Sequence, residues 1–121
     1  MSGPYDSLPF NWAAGNFATN NAHMDDEHKG LFTAIDKLDA ERTVANYEAL
    51  AGLVIAHFND EEALGLPAGH LQQHKDLLAT ATAVLGDLKS GAKTVDQGLI
   101  DFLKNWLKNH IKGTDIPSYG H

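Results

Sequence analysis

Two pairs of metal-binding side chains stand back to back in HFNDEEALGLPAGHLQQH, residues 57–74. His57 and Glu61 are four residues apart, and so are His70 and His74. On an α-helix that spacing puts both members of a pair on one face, a turn apart. Imidazole nitrogen and carboxylate oxygen together suit iron and its neighbours in the first transition row. Either pair alone is a weak signal, because the same spacing also arises as an ion pair on a wet surface. Two in succession, with His28 and His110 on two further segments, form a strong one. The chain has no cysteine. That excludes disulfides, thiolate metal sites, iron–sulfur clusters and a cysteine nucleophile.

Side chains so far apart in the chain need rigid elements to bring them together. Met24, His28, Leu31, Ile35 and Leu38 recur at steps of three and four, which predicts a helix from about residue 21. Asp25, Asp26 and Glu27 fall in its expected first turn, where the helix dipole favours acids. A second helix carries Tyr47, Leu50, Leu53, Val54, His57, Phe58 and Glu61, and Gly65-Leu66-Pro67-Ala68-Gly69 stops it. A third carries His70, His74, Leu77, Leu78, Ala81 and Leu85 and ends at Gly91. The fourth carries Leu99, Phe102, Leu103, Trp106, Leu107, His110 and Ile111, with Thr94 or Asp96 able to cap its start. Gly113 can end it, and Pro117 forbids resumption. Residues 1–20 show no period and predict an extended arm whose Phe10, Trp12 and Phe17 pack onto the core.

No strand-like alternation survives. The expected fold is all-α: an antiparallel up-down-up-down four-helix bundle over residues 21–113, with the arm 1–20 before it and a tail 114–121 after it, in one domain of 121 residues. His28, His57, His74 and His110 each fall within an apolar stripe. A single such histidine is usually an ordinary hydrogen-bonded core residue. When every helix carries one, the imidazoles face each other and lack partners, and a metal resolves the conflict.

The net charge is −7, from 16 acids against 9 lysines and arginines, which disfavours nucleic acid and anionic membranes. No apolar run approaches the ~18 residues of a membrane span. The first residues carry neither a basic nor an apolar signal region. These features predict a soluble, cytoplasmic protein.

Four segments, DDEHKGLF, HFNDEE, HLQQHK and WLKNHIKGTD, resemble in order the signature segments of the hemerythrin family. The resemblance runs from about Trp12 to Asp115. It implies reversible O₂ binding at a non-haem di-iron centre: two iron ions, ferrous or ferric, with an oxo or hydroxo bridge. O₂ would be taken up at the open iron as hydroperoxide. By resemblance, His70, His74 and His110 hold one iron, His28 and His57 hold the other, and Glu61 and Asp115 bridge them. Leu107 and Ile111 match positions lining the family's O₂ pocket. His23 and His121 are left as surface or terminal residues.

Asp115 lies five residues after His110, about 140° round a continuous helix. A break at Gly113 would let the chain bend it back. Family members usually have a longer stretch before the second histidine pair, whereas Glu61 and His70 here are only nine apart. The site should then lie nearer that end of the bundle, which could open one iron to solvent.

The ligand balance separates functions. Carboxylate-rich di-iron sites use Glu-x-x-His on two helices, but here Leu64 and Gly30 stand three residues after Glu61 and Glu27. Five neutral histidines stabilise high-valent iron poorly, which argues for binding O₂ over splitting it. Five histidines, divided three and two, leave one position open. The expectation is an O₂ carrier, store or delivery protein with no enzymatic role, its partner O₂, with a monomer favoured. The alternatives are a di-iron peroxidase or oxidase, an O₂ or redox sensor, and an iron store.

Overall fold

The computed structural model describes residues 8–19, 22–63, 65 and 68–115, with Ala14, Thr114 and Asp115 described by backbone alone. Its helices are α1 (Ala14–Phe17), α2 (Ala22–Ala40), α3 (Val44–Glu62), α4 (Ala68–Ser90) and α5 (Gln97–His110), followed by a π-helical turn, Ile111–Asp115. No strand occurs among the described residues. The four long helices form the bundle. α2 packs against α3 and α5, and α3 against α4. The connections are short, as antiparallel neighbours require. None of the helices is long and apolar enough to cross a membrane.

The helix ends have local causes. Thr43 caps α3 by accepting from the Asn46 backbone N–H, and Asp96 caps α5 by accepting from Leu99 N–H at 2.9 Å. Asp96, of the two candidates, is therefore the cap. α4 stops at Ser90, where Gly91 turns to φ 82°, a conformation that glycine adopts without steric cost. α2 begins early enough that only Asp25 lies in its first turn. Asp25 accepts from both the backbone N–H (2.8 Å) and the hydroxyl (2.7 Å) of Thr19.

Three expectations need correction. The arm is not wholly extended, since Ala14–Phe17 forms one helical turn. It does pack on the core: Phe17 is fully buried, Phe10 and Phe17 lie against Phe32, and the Lys108 ammonium donates to Leu8 O at 2.8 Å. Leu53 and Phe102 are exposed rather than inward. A helix advances about 100° per residue, so Phe102 falls off the face carrying Leu103 and Leu107. Ile100 takes the inward place and is fully buried. Leu53 sits at the edge of the α3 stripe. Finally, the chain does not break at Gly113; it widens into the π turn.

Two cations clamp α2 to its neighbours. Asp39 accepts from Arg42 at 2.7 Å and from Lys104 of α5 at 2.9 Å. Arg42 first, and then Lys104, holds the Asp39 carboxyl below the usual carboxylate range. A lowered folded-state pKa contributes stability above the ordinary value and loses it as pH falls through the lowered one. The Asp39→Asn variant should therefore show a shallower fall in melting temperature than the parent between about pH 5 and pH 2. Parallel melting curves would show that the clamp contributes nothing.

Candidate metal centre

Each long helix sends at least one histidine inward. His28 comes from α2, His57 from α3, His70 and His74 from α4, and His110 from α5. Glu61 lies one turn after His57 on α3. All six are buried, with His110 the most exposed at 4%. They form two groups whose donor atoms lie within 4.8 Å of one another: Glu61, His70, His74 and His110, and His28, His57 and Glu61. Glu61 belongs to both. Its Oε1 stands 2.5 Å from His57 Nε2 and 3.8 Å from His74 Nε2, and its Oε2 stands 3.5 Å from His70 Nε2. The six stay buried despite the short connection after Glu61. Phe58 stacks on His74 with centroids 3.7 Å apart, and Trp106 stacks on His110 at 4.7 Å.

The outward nitrogens decide what the inward ones can do. His57 Nδ1 lies 2.7 Å from Glu27 Oε1, His74 Nδ1 lies 3.1 Å from Glu62 Oε2, and His110 Nδ1 lies 3.3 Å from Gln73 Oε1. A carboxylate or amide oxygen accepts, so each Nδ1 must carry the proton. The Nε2 lone pair then faces inward, as a metal ligand requires. Burial first, and then the neighbouring Asp60, pushes the Glu27 carboxyl above its usual range, while His57 pulls it down.

Glu61 tests whether a metal fits. Both its oxygens are buried, and neither receives a hydrogen bond of acceptable geometry. A dry carboxylate left so is strongly destabilising unless a cation meets it. Cations held between Glu61 and the inward imidazoles answer that need, and the all-nitrogen-and-oxygen donor set suits iron. The residues fit the group.

The family model described as the Hemerythrin HHE cation binding domain matches residues 19–115. The chain belongs to the hemerythrin family. It is 39% identical to Myohemerythrin-1 of Phascolopsis gouldii, over 97% of this chain and 98% of that protein. It is 29% identical to the bacteriohemerythrin of Methylococcus capsulatus, over 86% of this chain and 89% of that one. Wild-type hemerythrin in its crystal structure superposes with a TM-score of 0.83 at 28% identity, covering 95% of this chain and all of that one. Family and geometry together make this a hemerythrin-type, O₂-binding metal site.

Of the hemerythrin residues anticipated from the sequence, the structure brings His28, His57, Glu61, His70, His74 and His110 together. The Asp115 side chain and His121 lie outside the described residues. The Asp115 backbone closes the π turn. A π turn bonds residue i to i+5, so positions five apart are closer in angle than on a regular α-helix. That turn stands where a break at Gly113 was expected. Leu107 and Ile111 are buried, at 1% and 0% exposure, within the core.

Sequence reasoning missed the partners Glu27, Glu62 and Gln73 and the ring of Phe58. Glu27 passed for a dipole acid and Phe58 for plain core. The available signal was adjacency: Glu27 precedes His28, Phe58 follows His57 and Glu62 follows Glu61.

Proposed function

We propose that the chain binds O₂ reversibly at two iron ions, as a carrier, store or delivery protein without catalytic turnover. One observation carries this reading. An apolar cavity of about 100 Å³ is lined by Leu31, Val54, Leu77 and Leu107, among others. These stand one helical turn from His28, His57, His74 and His110 respectively. Every long helix of the bundle thus contributes to the wall of an apolar space beyond the histidine cluster. Such a space suits a small apolar gas and gives water few polar partners.

When bound, the two irons would supply the electrons that hold O₂ and recover them on its release. The chain's own residues do the rest. His70, His74 and His110 would hold one ion, and His28 and His57 the other, leaving the second position a ligand short. Glu61, and by family resemblance Asp115, would bridge the two. Glu27, Glu62 and Gln73 keep the imidazole protons on the outer nitrogens. Leu31 and Leu107 exclude water and outside protons. Among the described residues, the side chains with a polar atom that line the cavity are Thr82, Tyr47 and Trp106. A peroxidase or oxidase would want a proton donor nearer the metals.

The test is an optical spectrum of the ferrous-loaded protein cycled between argon and air. A visible band should appear in air, vanish under argon and return over several cycles, in protein holding two irons per chain. Irreversible oxidation on first exposure to air, with no band that argon removes and air restores, would overturn the carrier reading and favour the oxidase.

A further inference from the structure

His23 has no part in the inner site, yet it is not a bystander. Its Nε2 lies 3.3 Å from Glu27 Oε2, one turn along α2, and 3.4 Å from Asp60 Oδ2 on α3. One donor atom from each of the three lies within 4.8 Å of the others. A cation held among the three would offset the repulsion between the two carboxylates. The imidazole beside them adds a nitrogen donor.

The place has room and an outlet. A pocket of about 300 Å³ between α2 and α3 is lined by His23, Asp26, Glu27 and His57 among others. His23 and Asp60 are exposed, with side chains 67% and 48% accessible, whereas His57 at the pocket wall is buried. Glu27 belongs to both environments: Oε1 meets His57 Nδ1, and Oε2 meets His23. A path one residue long therefore joins the surface trio to the inner cluster. The net charge of −7 draws cations to such a mouth.

We propose that His23, Glu27 and Asp60 form a third, surface site for a divalent first-row cation, and that iron lands there before passing to the inner pair. One imidazole and two carboxylates leave several coordination positions to water. The site is thus suited to capture and release rather than to permanent tenure. The landing role rests on the inner site being an iron centre; the surface site itself does not.

Iron-loaded protein is titrated with Mn²⁺, and free Mn²⁺ is followed by electron paramagnetic resonance. One Mn²⁺ per chain should bind beyond the inner irons, at least about tenfold more weakly in His23→Gln and in Asp60→Asn. Both side chains are exposed, and unchanged circular dichroism would confirm that the variants fold. Ferrous uptake by the metal-free parent should be several-fold faster than by either variant, with the same final iron content. No saturable Mn²⁺, or variants that bind like the parent, would overturn the site. Unchanged uptake rates would overturn the landing role. Should the chain never load iron, the same titration of metal-free protein still decides the surface site, because only that equivalent depends on His23 and Asp60.

Discussion

Glu61→Ala should empty the whole metal centre. Glu61 is common to both groups of donors, so its loss removes a ligand from each position at once. A partner that merely orients a ligand is worth about 10–100-fold in metal affinity. Loss of a shared ligand should exceed that, leaving far less than one iron per chain. His28→Ala should be milder, since it strips one position only. Stability gives a second, independent readout. Metal binding energy is part of folding energy, so the rise in melting temperature on adding ferrous iron should vanish. The metal-free variant should melt no lower than the metal-free parent, because the parent carries a buried carboxylate without hydrogen bonds. Two irons per chain in Glu61→Ala, with the metal-linked rise intact, would make Glu61 a bystander.

Leu107→Asn should hasten loss of the oxygenated form. Leu107 is 1% exposed and forms one wall of the cavity beyond the cluster. Asparagine adds a polar partner for water one turn from His110, and exclusion of water is what suppresses such side reactions. A tenfold faster decay corresponds to a barrier lower by about 1.4 kcal/mol, a reasonable scale for the change. Leu107→Ala is the control. It enlarges the cavity without adding a polar group, costs about 2–5 kcal/mol of stability, and should decay more slowly than the asparagine variant. Both should still load iron. The measurement is decay of the oxygenated spectrum in air at fixed pH and temperature. Equal decay in parent and asparagine variant would place O₂ away from this wall.

The bundle was legible in the chain because its signals are local. Apolar residues at helical steps, capping residues and glycine stops mark each helix, and the structure departs by a few residues at the ends. The departures inside helices are instructive. Leu53 and Phe102 are apolar but exposed, because hydrophobicity says what a side chain tolerates and angular position says where it goes. The candidate ligands were legible for a different reason: buried histidine on four apolar stripes has few explanations. Glu27, Glu62 and Gln73 were not legible. Acids and amides on a helix are ordinary surface residues until the fold shows what they touch. Each lies next to a candidate ligand, but its partner sits on another helix, 30, 12 and 37 residues away in sequence. Nothing in spacing along one helix reports that. His23 escaped for the same reason, since Asp60 is 37 residues distant.

The π turn at Ile111–Asp115 bears on anyone who would build this protein anew. A designer working from idealised straight helices would align residues three or four apart on one face. On such a backbone an acid five residues after His110 points elsewhere, and the pattern would have to be rewritten with the acid at position 113 or 114. The natural chain reads as an α-helix that has accepted one extra residue and kept it. The π turn takes up that extra residue locally, so removing it would have to restore a regular helix at the same time and set the acid four residues after His110 rather than five.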